Sequence, residues 1–462
     1  MTANPRRLSF WWDSLPDALV GPARPPLSGS ASVDVAIVGA GYTGLWTAYY
    51  LAKADPSLSV VVLESETAGF GASGRNGGWA SALFPTSLDK VAASSSREAA
   101  IALQREMFRT VDELGRAAEE AGIDCHFAKG GTISAARTPV QLERARQEIE
   151  HLRSWGFGPE DHALLEAGEA REILGATDVL GATYTPHCAA IHPARLVRGL
   201  AQAVERLGVT VHEGTRVTRI DPGVVRTEQG DVRARRIVRA TEAWTSQLPG
   251  YERDIAPVYS LVLATEPLPA DVWDVIGLGR RETFSDQRHL IIYGQRTADD
   301  RLVFGGRGAP YHLGSRIKPA YDRDPAVYTE LWRVLRELFP VVDGFQVSHT
   351  WGGPLGIPRD WFPSVGLDPA TGIGWGGGYV GDGVASANLA GRTLADLVRG
   401  AQTPLTALPW VNRRSRRWEP EPLRWLGVNV GLRTMGSADG AEERSGKPAR
   451  RAELLAPFLG GH

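Results

Sequence analysis

Val33-Asp34-Val35-Ala36-Ile37-Val38, then Gly39-Ala40-Gly41-Tyr42-Thr43-Gly44, then, after a helical run, Val60-Val61-Val62-Leu63-Glu64: these stretches decide the fold. An apolar run rich in β-branched residues ends in G-x-G-x-x-G, and a second apolar run closes on an acid about 20 residues past the last glycine. Strand, glycine turn, helix, strand and acid in that order form a dinucleotide-binding βαβ unit. Gly39 serves the tight turn, Gly41 lets the backbone approach a pyrophosphate, and Gly44 lets the helix lie near the strand. The helix start at Tyr42 and Thr43 presents unpaired N–H groups and a positive dipole end to the anion. Glu64 is placed to accept from both ribose hydroxyls, and its charge argues against a 2′-phosphate and so against NADP.

Soon after that acid comes Ala68-Gly69-Phe70-Gly71-Ala72-Ser73-Gly74-Arg75-Asn76-Gly77-Gly78-Trp79, a second glycine-rich loop with Ser73, Arg75 and Asn76 as donors. A loop here suits a cofactor that continues past the pyrophosphate to a large ring. In these residues the chain resembles the FAD-dependent D-amino-acid oxidase superfamily, which holds the glycine and sarcosine oxidases. Within it the chain is most similar to the gamma-glutamylputrescine oxidoreductase-like branch, where a G-x-G-A-S-G-R-N-G-G loop is usual. The resemblance implies an α/β FAD-binding domain, Rossmann-like and of glutathione-reductase type, with an α+β substrate domain on a mostly antiparallel sheet. It places Gly71, Ala72, Ser73, Arg75, Asn76, Gly77 and Gly78 at the cofactor. It also implies non-covalent FAD: relatives that tether the flavin use a cysteine before the last glycine loop, and this chain has none after Cys188.

A length of 462 residues predicts two or three domains, and 43% hydrophobic content supplies a sizeable core. The net charge of −2, from 51 basic and 53 acidic residues, argues against nucleic acid or an anionic membrane as partner. Only five of the basic residues are lysine, which, with abundant glycine and alanine, looks like a GC-rich bacterial coding bias. Cys125 and Cys188 lie far apart, so neither a disulfide framework nor a thiolate metal site is expected, and a reducing compartment, the cytoplasm, is. No stretch approaches the ~20 apolar residues that span a bilayer, and the first residues carry no apolar signal region.

In chain order, residues 1–32 read as an N-terminal arm; 33–95, 185–250 and 346–400 as three parts of the FAD-binding domain; 96–184 and 251–345 as two parts of the substrate domain; and 401–462 as a C-terminal helix and tail. The arm's Phe10-Trp11-Trp12 is expected to dock on the domain surface, the alternative being an aromatic lid. Ser87 to Gly122 predicts one or two helices and Pro139 to Trp155 another. His192, before Pro193, is read as a helix cap in preference to a catalytic base. Strands are predicted over 216–220, 231–241, 258–265, 281–285, 289–294 and 301–307, the last four forming an antiparallel sheet with a turn at Asp299-Asp300. A helix follows over 327–339, and a docked amphipathic helix over 422–432 leads to a polar end.

The resemblance extends to later elements. It sets the backbone of Val217 against the adenine, and Ala240-Thr241-Glu242-Ala243-Trp244 in the place of an A-T-N-A-W turn near the pyrophosphate, with Glu242 where Asn is usual. Ala240, Thr241 and Trp244 are thus cofactor candidates. Gly353 and the loop Gly378-Tyr379-Val380-Gly381-Asp382-Gly383-Val384 form the last flavin element, in which Gly378, Tyr379, Gly381, Asp382, Gly383 and Val384 are candidates. The family usually has G-Y-S-G-H-G-V there, so Val380 and Asp382 replace Ser and His close to the ring. Backbone N–H groups before a helix stabilise negative charge on a reduced ring.

A flavin against an amine takes hydride from the α-carbon of the neutral amine, and water hydrolyses the imine. No general base is needed and no catalytic residue is assigned. The candidates for substrate contact are Tyr259, Tyr293, Arg307, Arg359 and Asp382, with Arg307 or Arg359 as partner of a substrate carboxylate. The expected partners are a small amine and O2 or another electron acceptor. Sarcosine-oxidase-like relatives keep a lysine over the ring to promote reaction with oxygen, whereas this chain has none between Lys129 and Lys318, so a dehydrogenase stands beside an oxidase. Two further readings stay open: an FAD-dependent 2-hydroxy acid dehydrogenase of the same fold, and a flavin-binding electron-transfer subunit.

Overall fold

The computed structural model describes residues 4–307 and 309–450, and of Arg307 and Glu443 the backbone alone. Two eight-stranded sheets and a two-stranded ribbon organise these residues. In the first sheet, Ala31–Val38 runs parallel between Val60–Leu63 and Asp231–Arg239. Thr210–His212 extends it on one side and Ile373–Gly377 on the other, both parallel, and Ser364–Leu367 closes one edge antiparallel.

The apolar runs that begin the sequence argument form this centre because both faces of each strand are covered. Val35, Ile37, Val60 and Val62 enter one core, and Ala36, Val38, Val61 and Leu63 the other. The first core is filled by helices: Leu45 and Trp46 from Tyr42–Ala54, Leu196 and Leu200 from Pro193–Arg206, Leu389 and Leu394 from Gly383–Arg399. The second is covered by the hairpin of Val217–Asp221 and Val224–Thr227, through Ile220 and Val225.

The other sheet runs in the order Val347–Ile357, Ala256–Thr265, Leu302–Arg307, Ile292–Arg296, Thr283–Asp286, Thr132–Ala136, Gly181–Thr185, Ala163–Glu166. Its neighbours pair antiparallel except Thr283–Asp286 with Thr132–Ala136, which are parallel. One face packs Leu261, Leu263, Phe284 and Phe304 under the helix Pro325–Leu338, which contributes Leu331, Val334 and Leu335.

Several local expectations shift. The strands expected from 281 and 289 begin at Thr283 and Ile292. Arg281 has φ 57, and the amides of His289 and Leu290 donate to the Asp439 carboxylate instead of to a neighbouring strand. Asp439 lies on the C-terminal helix, which runs from Leu423 to Ser445, well past the expected 432; residues 451–462 of the polar end lie outside the described residues. The helix Arg97–Glu120 falls in the segment expected to open the substrate domain, yet Leu103, Met107, Val111 and Leu114 share the core of Leu45 and Trp46. Helical spacing shows that a face is buried but not against what. The arm forms two short helices, Phe10–Asp13 and Asp17–Val20, and docks with Trp11 1% and Trp12 0% exposed. No described helix is long and apolar enough to cross a membrane.

Candidate functional site

The glycine elements, far apart in sequence, meet at the C-terminal ends of the parallel strands. Gly39 has φ +106, and a Cβ there would lie 2.5 Å from the Ala240 carbonyl oxygen; one on Gly44 would lie 2.0 Å from that of Gly39. No side chain fits at either place, so the turn stays bare and the helix starts directly against it. That helix has Gly41 as its N-cap with no side-chain cap of its own. The Tyr42 amide donates to Ser73 Oγ at 2.9 Å, which sets the second glycine loop at the helix's positive end. Beside it, Glu64 accepts from the Ala40 amide at 2.9 Å and the Glu66 amide at 3.0 Å. Burial raises this carboxyl and the two amides oppose the rise. Thr215 N donates to Glu64 O at 2.7 Å, holding the start of the Val217 strand near the same acid.

The second loop is braced from within and pinned from outside. Asn76 Oδ1 accepts from the Gly78 amide at 2.8 Å, and its Nδ2 donates to Ala72 O at 3.0 Å. Four consecutive carbonyls each receive a side chain from elsewhere: Ser9 Oγ donates to Gly74 O at 2.9 Å, Trp351 Nε1 to Arg75 O at 2.8 Å, Trp11 Nε1 to Asn76 O at 2.8 Å and Gln295 Nε2 to Gly77 O at 2.7 Å. The Arg75 side chain is buried over Trp244, pairs with Asp322 at 2.8 Å and donates to Gly352 O at 3.1 Å, next to Gly353. Trp244 in turn lies against Gly71. Ala240 N donates to Val38 O at 2.9 Å, and Thr241 Oγ1 bonds Thr245 Oγ1 at 2.8 Å, fixing the turn that carries Trp244.

The last loop joins the same place. Gly378, Val380 and Gly381 have φ of 75, 59 and 109, and the helix Gly383–Arg399 starts after Asp382, with Val384 in its first turn. Tyr379 shares a hydrogen bond with Thr43 Oγ1 at 2.8 Å, and its amide donates to Glu242 at 3.1 Å.

The candidates for substrate contact take different places around these loops. A Cβ on Gly77 would lie 2.5 Å from the Tyr293 ring, and the Tyr293 hydroxyl bonds Ser260 Oγ at 2.8 Å. Asp382 is near enough to Cys188 for its charge to reinforce burial in pushing that thiol up to about 12. Tyr259 is 0% exposed, accepts from the Lys318 amide at 3.3 Å, packs on His312 and Tyr321, and pairs with Pro354 beside Gly353, within electrostatic reach of Arg75 and Asp322. Arg359 is held by Glu419 at 2.9 Å and lies over Trp418. The side chain of Arg307 lies outside the described residues; its backbone pairs with Ser260. His192 caps its helix: Nδ1 accepts from the Arg195 amide at 3.2 Å, and Nε2 meets Ser14 Oγ at 3.0 Å.

Sequence reasoning missed Asp322, Gln295, Trp351 and Ser9 as braces of these loops, because nothing in their neighbouring residues marks the partner each one meets; for Trp11 it gave docking but not the Asn76 carbonyl as its partner. It also passed over Trp79, which stands edge-on to Tyr293 with a buried Nε1 that has no partner among the described residues. A bare glycine cradle at a helix start, an acid at the next strand's end and a pinned second loop fit a dinucleotide that continues to a ring.

Residues 34–397 match the family model DAO, described as FAD dependent oxidoreductase. The chain is 32% identical over 380 residues to gamma-glutamylputrescine oxidoreductase of Escherichia coli, covering 81% of this chain and 85% of that protein. It is 30% identical over 417 residues to the probable oxidoreductase OrdL of Rhizobium meliloti, covering 86% and 90%. Glycine oxidase from Geobacillus kaustophilus superposes with a TM-score of 0.71 over 84% of this chain and 100% of that one, at 23% identity, a likeness of fold.

Proposed function

The chain belongs to the family of FAD-dependent oxidoreductases, and from that premise we propose that it oxidises the C–N bond of a small amine or N-substituted amino acid. FAD supplies the chemistry when bound: the α-carbon of the neutral amine passes a hydride to flavin N5, and water hydrolyses the resulting imine to an aldehyde or keto product and the released amine. The protein's part is to hold, orient and desolvate.

In this reading the Gly39–Gly44 turn and the Tyr42 and Thr43 helix start take the pyrophosphate, and Glu64 takes the ribose. The pinned loop from Gly71 to Gly78 and the turn from Gly378 to Gly383 would hold the ring portion of the cofactor. The first sheet with its helices serves as the cofactor-binding part and the second as the substrate-binding part. The observation that carries the proposal is Tyr293 on Gly77, which sets an aromatic ring of the second sheet directly on the second glycine loop. Asp382, at the start of the Gly383–Arg399 helix, brings a carboxylate to this loop and so favours a substrate with a cationic end. The Escherichia coli relative is named for gamma-glutamylputrescine, and a polyamine-like or N-alkylated amine suits this aromatic ring and this charge. FAD is held without a covalent bond, and O2 or another acceptor reoxidises it.

The test is the visible spectrum of the purified protein, mixed without oxygen with amines, N-methyl amino acids and 2-hydroxy acids. Bleaching by one amine class, followed by recovery in air or only with another acceptor, is the expected result. Bleaching by hydroxy acids alone would replace it with the dehydrogenase reading, and a spectrum unmoved by any small molecule would point to an electron-transfer subunit.

A further inference from the structure

Glu242 stands in the turn after the Asp231–Arg239 strand, in the left-handed region with φ 42. One carboxyl oxygen, Oε1, accepts from the Tyr379 amide at 3.1 Å, and the Gly378 amide also bonds the carboxyl group. The other, Oε2, is buried and has no partner among the described residues. It lies against Gly356, where an added Cβ would come within 1.9 Å of it. The contact is passed on, because the Tyr379 hydroxyl bonds Thr43 on the Tyr42–Ala54 helix. A single carboxyl group therefore ties the turn of Ala240 and Trp244 to the last glycine loop and, through that loop, to the helix that starts the cofactor cradle.

A buried carboxylate with one bare oxygen is costly, and the neutral acid in the same place is much less so. The ionisable groups around it do little to relieve the charge. Arg239, on its own strand, is turned towards Asp254 at 3.9 Å. From the last loop comes Tyr379, whose buried phenol stays neutral. Gly356 and Ile255, packed on the remaining side, bring no charge. Burial accordingly raises the carboxyl group to about 7, against the smaller pull of the two amides and Arg239.

We propose that Glu242 is a positioning residue for the flavin: a clamp that closes the last glycine loop on the cofactor most firmly when its carboxyl group holds a proton. The proposal rests on the FAD reading above and adds a pH response to it. The Asn that the resembled family usually carries at this place is an amide and does not titrate. Closing the loop buries the group and lifts it from 4.5 to about 7, so closure takes up a proton. Closure is then favoured at low pH, weakens as pH rises across that interval and levels off above it.

The experiment measures FAD affinity of the full chain by flavin fluorescence at about pH 5.5 and about pH 8, with hydrogen exchange of the Tyr379 amide read on the ligand-free chain. Wild-type affinity should fall up to about thirtyfold between the two. Glu242→Gln keeps a neutral acceptor in place, so its affinity should be flat with pH and exceed wild type at the higher value. Glu242→Ala removes the acceptor, and the Tyr379 amide should exchange faster at both. A Glu242→Gln protein with the wild-type pH dependence, or a Glu242→Ala protein whose Tyr379 amide stays as slow as wild type, overturns the clamp. A wild-type chain that binds no FAD at either pH overturns the cofactor reading instead, and the amide exchange still decides the clamp.

Discussion

Tyr379 and Thr43 share a buried 2.8 Å hydrogen bond between their hydroxyl groups across 336 residues of sequence. Thr43 lies in the first turn of the helix that opens the nucleotide unit and Tyr379 in the last glycine loop. Tyr379→Phe leaves a buried Thr43 hydroxyl with one partner fewer, at a cost of about 1–2 kcal/mol. Denaturant unfolding should show that loss, and titration with FAD should show weaker binding. Wild-type affinity in this variant would mean that the bond does not hold the cradle.

The arm is a strut for the second glycine loop. Trp11 Nε1 donates to Asn76 O and Ser9 Oγ to Gly74 O. Trp11→Phe should lose about 1 kcal/mol for the bond, and Trp11→Ala about 3–5 kcal/mol because a cavity is added. Both should release FAD more readily, read as the rate at which flavin fluorescence appears on dilution. Loss of stability with unchanged flavin release would limit the arm to packing.

Arg75 and Asp322 form a pair that is buried on the arginine side and 21% exposed on the other. Asp322→Asn leaves the guanidinium without its counter-charge and should cost about 1–3 kcal/mol, discounted for the exposed partner. Arg75→Lys should lose stability as well, since an ammonium lacks the fork whose Nη1 reaches Asp322 and Gly352 O while Nε donates to Gly71 O. Thermal melts of the two variants check both statements.

His192 gives a pH prediction of opposite sign to Glu242. Burial first, then His126 and Arg195, hold its imidazole well below the ordinary range. The unfolded chain takes up the proton first, so the stability it contributes is full above about pH 6.5 and is lost as pH falls below that value. His192→Asn keeps a cap acceptor, so its Tm should fall less than that of wild type between about pH 7.5 and about pH 5.5. The same variant should leave the pH profile of flavin reduction unchanged; a shifted profile would make His192 a base.

Non-covalent flavin is testable on the denatured protein. Cys188, with its thiol pushed up to about 12, stays protonated at neutral pH and is a poor nucleophile. Acid precipitation should leave all the yellow colour in the supernatant, and flavin fluorescence on the denatured band would refute this.

The nucleotide unit was legible because its signals are local. Gly39, Gly44 and Glu64 act through the turn, helix and strand on which they sit, and the strands came within a few residues of their places for the same reason. The misses share a cause. Asp439 halts the strand expected at 289 from a helix near the other end of the chain, and Arg97–Glu120 buries its apolar stripe in the core of Leu45 and Trp46.

What the sequence by itself determined, then, is the first βαβ unit, the second and last glycine loops and the kind of cofactor they suit, since each is written in neighbouring residues. The tertiary structure alone decided the partners: Glu242 with Tyr379, Arg75 with Asp322, Trp11 with Asn76, Tyr293 with Gly77. The physical reason is that a hydrogen bond or close contact between distant residues depends on how two sheets and their loops pack in space. No local spacing of residue types encodes that packing.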